Sequence, residues 1–324
     1  MGRVRSESFM RLVDKVVNSP PEVELLDGEG RTHRVIGVGA KSDAIKNCPL
    51  RYILDPTASD EVGRLVLNES NGLFDPASPL LRLPAETFWL EWFGSPGSYP
   101  KAGVLVETED GRSGTLTGFF ESEQGQPDKV PVCVDFDLSG VVRSGQSSDL
   151  TIRHNSCLHL NDLLACATAR IDPRWDRYFR TRPPQEYGRN LQELAEYYWF
   201  LLPVACAFAA MLNSPDVLIE SRSSLDRLNN ARARRGREPL LDHIEISIRL
   251  GQVREGGGIR SGHQKSPPRL HHVRGHFVHR AGKTFWRSAH LRGDAERPIF
   301  QKTVNVRGSL RHSGAARQQV RKAG

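Results

Sequence analysis

The segment Leu81–Phe93, LRLPAETFWLEWF, is the most informative about the fold. From Thr87 onward its residues fall into two alternating sets, each with a large aromatic side chain: Phe88, Leu90 and Trp92 in one, Thr87, Trp89 and Glu91 in the other. Successive side chains of a β-strand point to opposite faces of the sheet. The pattern therefore predicts a strand that carries aromatic side chains on both faces.

Three segments of similar pattern follow this strand, and each is bounded by Gly, Pro or Asp: Ala102–Glu107, Gly114–Phe120 and Val130–Leu138. Together the four segments predict an antiparallel sheet. Three glutamates in the region are acidic candidates for a site: Glu86, Glu91 and Glu107. Carboxylates are rarely buried without a partner, so we expect these three on solvated strand faces.

Two segments beyond the sheet have the strongest helical patterns, Asn161–Ile171 and Tyr187–Asn213. The second becomes apolar all round in its later part, which is typical of a helix in the centre of a core. Pro203 is expected to kink it. The apolar run Tyr197–Leu212 is too short for a bilayer span. The sequence thus predicts an α+β fold, with an antiparallel sheet packed on a central apolar helix and a basic C-terminal β-hairpin region.

Weaker patterns lie on either side of these elements. Val23–Ala40 is typical of two short strands around a turn, Asp60–Leu67 of a helix, and His243–Leu250 of a strand. Ser223–Arg235 is typical of a polar helix, and its end, Ala231–Arg237, is strongly basic.

Charge is distributed unevenly along the chain. The net charge of the whole chain is +7, but the part from Arg227 onward has 22 basic and 6 acidic residues, a net charge of +16. Such asymmetry favours contact with nucleic acid, a ribosome or an acidic protein. The predicted domain organisation, in order, is a body at 1–251 (central sheet 81–138, helices 161–235), a flexible linker at 252–268, a His/Arg hairpin module at 269–306 and a disordered basic tail at 307–324.

Cysteine usage indicates the redox compartment. The five cysteines are widely spaced, odd in number and without a CxxC pair: Cys48, Cys133, Cys157, Cys166 and Cys206. This is typical of a reduced cytosolic protein with buried thiols.

The chemistry is concentrated in Pro267–Asp294, PPRLHHVRGHFVHRAGKTFWRSAHLRGD, which with His263 contains six of the eleven histidines. We expect a β-hairpin, with strands Val273–His279 and Thr284–Leu291 joined by a turn at Arg280–Lys283. Its basic and aromatic residues suit a polyanion or a peptide, because Arg supplies a planar charged fork and aromatic rings supply stacking.

The residues expected to bind a peptide or nucleic acid lie along this hairpin: His272, Arg274, Gly275, His276, Phe277, Trp286, Arg287, His290 and Arg292. Strand alternation would place His272, Arg274 and His276 on one face, beside Trp286 or Arg287 depending on the register. A glycine at position 275 indicates a bulge or a close backbone approach.

The hairpin residues allow three alternatives to peptide or nucleic-acid binding: a zinc site, a ribonuclease and a DNA-binding regulator. Zinc would need His272, His276 and His279 on one helix face, but Gly275 and the β-rich surroundings favour a strand, so no metal or cofactor is expected. A metal-independent ribonuclease would need a general acid and base, for which His272 and His276 are the catalytic candidates, with Arg274 as the cation. A DNA-binding regulator is a further alternative, although the sequence lacks a helix-turn-helix signature.

The segment Leu270–Phe277 (LHHVRGHF), followed by Lys283–Trp286 and Thr303–Val306, resembles the C-terminal signature of a known family. It is the family of the second type V-A anti-CRISPR protein, which phages and other mobile genetic elements carry. The specific motif is Arg274-Gly275-His276, which the family usually follows with Trp, whereas this chain has Phe277.

Two further segments match in the same order. Leu83–Trp92 is similar to the family's central Pro-then-aromatic strand, and Tyr197–Glu220 is similar to its apolar helix followed by a Pro-Asp turn. The N-terminal third departs from the family. The resemblance implies an inhibitor of bacterial immunity, because the family's named member recognises the N-terminal peptide of a type V CRISPR nuclease emerging from the ribosome and causes loss of its message.

From the residues and the resemblance together, we expect an adaptor that acts in the cytoplasm of a bacterial host cell. It would bind a nascent or N-terminal peptide of a target protein and, through its basic C-terminal region, RNA or the ribosome. It is expected to be a binding protein rather than an enzyme, and not to associate with a membrane.

Overall fold

The structure is a computed structural model. It describes residues 11–68, 72–94, 99–140, 150–151, 157–215, 217–222, 224–248, 271–273, 275–280, 283–287 and 290–292. The predicted linker at 252–268 and the predicted tail at 307–324 lie outside the described residues.

The helices are short except in two regions. In chain order they are α1 (Leu12–Val17), α2 (Ser42–Asn47), α3 (Pro56–Asn68), α4 (Asn161–Leu164), α5 (Pro173–Phe179), α6 (Pro184–Tyr197), α7 (Leu201–Leu212) and α8 (Asp226–Ala233). Single 3₁₀ turns lie at Val38–Lys41, Pro79–Leu81 and Leu158–Leu160.

The strands make up the rest of the regular structure. In chain order they are β1 (Glu22–Leu26), β2 (Thr32–Ile36), β3 (Leu50–Leu54), β4 (Thr87–Phe93), β5 (Lys101–Thr108), β6 (Ser113–Glu121), β7 (Pro127–Asp137), β8 (Leu150–Thr151), β9 (Ala167–Ile171), β10 (Leu218–Arg222), β11 (Ile244–Ile248), β12 (His271–Val273), β13 (His276–Arg280), β14 (Lys283–Arg287) and β15 (His290–Arg292).

The predicted α+β class is confirmed, and the main sheet is larger than expected. Its strand order is β10-β11-β3-β4-β5-β6-β7-β9-β8. The predicted antiparallel run is present from β4 to β7. The sheet is nevertheless mixed, because β3 pairs in parallel with both β4 and β11. The sequence did not predict β3 or β10, which have no clear alternation of apolar and polar residues.

Strand β4 shows why its aromatic residues alternate. Phe88, on one face, lies near Tyr52, whose ring is 4.9 Å from the ring of Phe208 in α7. Trp89, on the other face, packs on Phe119 with a centroid distance of 5.3 Å. Both side chains are fully buried, so the sheet is covered by helices on both faces. Helices α3 and α7 pack together on the Phe88 face, whereas α1 contacts the Trp89 face.

Helix α7 forms the centre of the core on its face of the sheet. Every residue from Leu201 to Met211 is buried, which confirms the predicted central apolar helix. The predicted single helix Tyr187–Asn213 is wrong in one respect, because it is divided at Tyr198 into α6 and α7. Pro203 is the third residue of α7, in the first turn, where a backbone N–H has no intrahelical partner, and so it does not kink the helix.

The helix predicted at Asn161–Ile171 is also wrong over most of its length. Only Asn161–Leu164 is helical, and Ala167–Ile171 forms β9, which pairs antiparallel with β7. The apolar residues of such a short segment fit the period of a helix and that of a strand equally well, and pairing with β7 favours the strand. Of the described residues, none belongs to a helix that is long and apolar enough to cross a membrane.

Glu91 attaches α1 to the sheet. Its carboxylate oxygens accept hydrogen bonds from the backbone N–H groups of Leu12 and Val13, at 2.9 and 3.0 Å. These two N–H groups belong to the first turn, which has no intrahelical acceptor for them. Glu91 is buried, so the expectation of a solvated face is wrong for this residue. Burial raises the pKa of its carboxyl, although the two N–H groups oppose that shift.

The chain divides into two compact units. One comprises residues 1–251 together with Gly275–Ser288, and the other comprises Gln252–Arg274 together with Ala289–Gly324. The inner part of the hairpin therefore groups with the body, whereas the sequence pattern predicts a separate module over all of 269–306. The reason is the burial of Phe277, whose side chain belongs to the hydrophobic core of the body.

Candidate nucleic-acid interface

A hairpin lies within the predicted range, but its strands are His276–Arg280 and Lys283–Arg287 instead of the predicted Val273–His279 and Thr284–Leu291. Strands β13 and β14 pair antiparallel, from His276 opposite Arg287 to Arg280 opposite Lys283. The connection between them passes through positions 281 and 282, which lie outside the described residues.

One face of this hairpin is buried against the body. Phe277 is only 1% exposed, and Trp286, directly opposite it, is half-buried and packs on the core. The two rings meet edge to face, with centroids 5.0 Å apart. Such a pair is worth about 0.5–1.5 kcal/mol beyond the area that it buries. The two aromatic side chains expected to contact a ligand therefore hold the hairpin to the body.

Gly275 fits beneath the indole of Trp286. A Cβ atom at position 275 would lie 2.3 Å from Cζ2 of Trp286, so any larger residue would push the ring away. The carbonyl oxygen of Gly275 accepts a hydrogen bond from Nη2 of Arg64 on α3, at 3.3 Å. The glycine thus permits the close approach that the sequence suggested, and the backbone at this point is tied to α3.

The opposite face carries six side chains, which we call the outer hairpin face: His276, Val278 and Arg280 on β13, and Lys283, Phe285 and Arg287 on β14. Residues directly opposite each other in an antiparallel pair lie on the same face. The pairs are His276 with Arg287, Val278 with Phe285, and Arg280 with Lys283. Phe285 is 47% exposed.

Three cations of the outer hairpin face have no ion-pair partner in the described part of the chain. Arg280, Lys283 and Arg287 are exposed, and no ion pair joins any of them to a described carboxylate. The exposed ring of Phe285 lies between the two basic pairs along the strands. Cations that flank an exposed aromatic ring can bind a phosphate backbone and an unstacked base at the same time.

The register divides the predicted site residues. His276 and Arg287 share the outer hairpin face, whereas Phe277 and Trp286 lie on the buried face together with Gly275. The side chain of His276 is therefore beside Arg287 and not beside Trp286.

The remaining predicted residues belong to a second pair of strands. Strands β12 and β15 pair His271 with Arg292, His272 with Leu291, and Val273 with His290. The backbones of His272, His290 and Arg292 are thus in paired strands, and their side chains lie outside the described residues. Arg274 lies outside them altogether.

Phe285 is the residue that sequence reasoning missed. The signal was present in the alternation of the strand, because Phe285 and Trp286 are adjacent and must point to opposite faces. From the sequence, the larger Trp286 was expected to contact the ligand. Trp286 packs on the core and Phe285 does not, because burial of an aromatic side chain is more favourable the greater the area removed from water.

A separate cluster of titratable groups orders the β1–β2 hairpin. The Asp27 carboxylate accepts hydrogen bonds from the backbone N–H groups of Glu29 and Arg31, and it contacts Nε2 of His33 at 2.8 Å. These interactions hold the pKa of Asp27 well below its usual range. His33 packs edge to face on Tyr178 of α5. The cluster orders the turn between β1 and β2 and joins it to α5. Its residues therefore have a structural role.

The other acidic candidates line a shallow cleft. Glu86 and Glu107 border a cavity of about 430 Å³ together with residues of α2 and the start of β4. Lys41 forms an ion pair with Glu107 at 2.6 Å and compensates its charge. Among the described residues, no group of three His, Cys, Asp or Glu side chains is placed to hold a metal ion.

The fold and the hairpin define an α+β protein with an exposed basic and aromatic strand face. Comparison with known proteins does not extend this description, since no family model, curated protein or solved structure matches the chain.

Proposed function

We propose that this protein is a non-enzymatic adaptor that binds single-stranded RNA through the outer hairpin face. The observation that carries the proposal is the position of Phe285, which is 47% exposed between two basic pairs. Of this face, Arg280, Lys283 and Arg287 are exposed and make no ion pair with a described carboxylate. An exposed ring in such surroundings is a platform for an unstacked base, while the cations on either side bind the adjoining phosphates.

The buried face of the hairpin supports the same proposal. Phe277 and Trp286 anchor the strands in the core, and Arg64 holds the backbone at Gly275. A face fixed in this way loses little conformational freedom when a ligand binds to it. The cations and Phe285 are thus presented in a geometry that exists before the ligand arrives.

The wider biological role that we propose rests on the family resemblance of Leu270–Phe277. In that role the protein inhibits bacterial immunity from a phage or another mobile genetic element. It binds the nascent or N-terminal peptide of a bacterial target and uses its RNA or ribosome contact to down-regulate the message of that target. Arg274, in the centre of the resembling motif, is the proposed partner for a carboxylate or phosphate group.

The RNA contact is tested with Phe285→Ala, measured as binding of a fluorescent single-stranded RNA by anisotropy at several salt concentrations. Removal of the stacking platform for one base should weaken binding by about 1–3 kcal/mol without changing the salt dependence. A second variant, Arg280→Gln/Lys283→Gln/Arg287→Gln, should lower the slope of log affinity against log salt by about 0.7 for each phosphate that is no longer neutralised.

The matched control is Phe93→Ala, because Phe93 is also an exposed phenylalanine at 39% and lies at the end of β4 in the main sheet. It should bind RNA like the unmodified protein. Equal binding by Phe285→Ala and Phe93→Ala would refute the proposed contact. Cleavage of the RNA in EDTA, abolished by His276→Ala, would favour the ribonuclease, and preference for duplex DNA would favour the regulator.

The proposed peptide contact requires a cellular measurement. Ribosomes carrying nascent chains are captured with the tagged protein, and the attached messages are sequenced. Arg274→Lys keeps the charge but removes the planar fork, so it should abolish enrichment of the target message while leaving solubility and melting temperature unchanged. Enrichment of the same message by the Arg274→Lys variant would contradict a role for this residue.

A further inference from the structure

Helix α8 and the turn after it carry a second concentration of cations. Residues 226–238 contain five arginines and two carboxylates: Arg227, Arg232, Arg234, Arg235 and Arg237 against Asp226 and Glu238. No residue of α8 is buried. All of these arginines except Arg232 are exposed, and none of the exposed ones makes an ion pair within the part of the chain that the structure describes.

The helix is nevertheless fixed to the body. The side-chain amide of Asn229 donates to the carbonyl oxygen of Leu240 at 2.9 Å and accepts from its N–H at 2.8 Å. The next residue, Leu241, donates its N–H to Asp14 on α1 at 3.0 Å. A helix without a buried face would not be held by packing, so these polar contacts define its position.

The arginine-rich end of α8 also has a defined geometry. Gly236 adopts a left-handed conformation with φ of +64°. Its N–H donates to the carbonyl oxygen of Ala233, and the N–H of Arg237 donates to that of Arg232, each at 3.0 Å. This pair of bonds closes a helix at a left-handed glycine. Arg234 therefore has a fixed backbone, and it lies two turns from Arg227 on the same side, about 10 Å along the axis.

The chemistry of this surface differs from that of the outer hairpin face. Residues 226–238 contain no aromatic residue, so they offer phosphate contacts but no stacking platform. Arginine is suited to phosphate oxygens because its planar fork donates two hydrogen bonds. A surface that binds phosphate groups but not bases suits a duplex, because the bases of a duplex are stacked on each other and its backbone is exposed.

We propose that α8, with Arg227, Arg234 and Arg235 as its contacts, is a second nucleic-acid-binding site that takes the phosphate backbone of duplex RNA. The two sites are attached to the body through different helices. The segment after α8 is bonded to α1, and the hairpin is bonded to α3, and these two helices cover opposite faces. The α8 site therefore binds independently of the hairpin, although it extends the RNA-binding role proposed above.

The test uses the full chain and two probes, a blunt RNA duplex and an oligouridine single strand. The variant is Arg227→Gln/Arg234→Gln/Arg235→Gln, because glutamine removes the charge and keeps a high helix propensity. The control variant removes three exposed charges elsewhere in the body, as Lys46→Gln/Arg82→Gln/Arg222→Gln. Circular dichroism verifies that both variants are folded.

The α8 variant should lower the salt slope for duplex binding by about 2 to 3, as expected when three phosphates are no longer neutralised. It should leave the binding of oligouridine at the level of the control variant. Phe285→Ala should show the reverse pattern, so failure of the hairpin contact and failure of the α8 contact are seen with different probes.

Three results would overturn the inference. The first is duplex binding by the α8 variant that equals binding by the control variant. The second is an equal decrease on both probes, which would indicate a general effect of charge. The third is a lower melting temperature with unchanged duplex binding, which would mean that the arginines only compensate the helix dipole at the C-terminal end of α8.

Discussion

The indole of Trp286 lies against Gly275 so closely that a Cβ atom at position 275 would be 2.3 Å from Cζ2 of the ring. The main sheet repeats this arrangement, since a Cβ atom on Gly103 would be 2.5 Å from Cζ2 of Trp89. In both places a tryptophan on one strand covers a glycine of a neighbouring segment. Such cross-strand covering protects the glycine backbone and fixes the register of the strands.

Gly275→Ala should therefore destabilise the hairpin. The added methyl group would displace the Trp286 ring, and overpacking of this kind typically costs about 1–3 kcal/mol. The free energy of unfolding is measured by urea denaturation. The control is Gly188→Ala in α6, where nothing lies within 4 Å of a Cβ atom and where alanine should stabilise the helix by about 0.5–1 kcal/mol. Stabilisation by both substitutions would show that Trp286 does not cover Gly275.

Phe277→Ala and Phe285→Ala should have opposite consequences, although the two residues lie in paired strands. Phe277 is 1% exposed and Phe285 is 47% exposed. Truncation of the buried ring should cost about 3–5 kcal/mol, whereas truncation of the exposed ring should change stability by less than about 0.5 kcal/mol. Thermal and urea denaturation of both variants measure the difference. A larger destabilisation by Phe285→Ala would mean that the faces of the hairpin are reversed.

Leu201→Ala should be among the most destabilising single changes in α7. Its side chain is fully buried at the start of the central helix, so its truncation should cost about 2–5 kcal/mol. Leu26→Ala is the matched control, because Leu26 is 66% exposed at the end of β1. Similar free energies of unfolding for the two variants would contradict the position assigned to α7.

His243 should make folding stability dependent on pH. Its Nδ1 contacts the guanidinium of Arg11, and its Nε2 is 3.5 Å from Glu245. Burial lowers the pKa of His243 below its ordinary value of 6.5, and the charge of Arg11 lowers it further, whereas Glu245 and Asp14 oppose the shift. The unfolded chain therefore binds more protons than the folded chain below pH 6.5, and stability must fall as the pH falls through that window.

The measurement compares the unmodified protein with His243→Gln from about pH 7.5 to about pH 5.5. Glutamine cannot be protonated in this range. The free energy of unfolding of the His243→Gln variant should therefore fall less steeply than that of the unmodified protein. His279→Gln is the control, because His279 is exposed at the end of β13. Parallel curves for the unmodified protein and His243→Gln would show that His243 is not the linked group.

Local alternation was sufficient to predict β4 and the strands paired after it. Thr87–Phe93 alternates because both faces of the sheet are covered, and this is visible in the residues themselves. A hairpin in this region was also predictable, but its strands are His276–Arg280 and Lys283–Arg287, whereas Val273 and His290 belong to the separate β12–β15 pair. Strand β9 (Ala167–Ile171) was not predictable, because its apolar residues fit the period of a helix as well as that of a strand. Only the pairing with β7 selects the strand.

The composition of the site was predictable from the residues: a basic hairpin with aromatic residues and a second basic stretch at α8. The sequence alone did not predict which ring meets the core. Only the tertiary structure placed Phe277 and Trp286 against the body and Phe285 in solvent. It also buried Glu91 beneath α1, where a carboxylate would not be expected from the strand alone. The physical reason is that alternation fixes which residues share a face, whereas the face that is buried depends on what packs against it.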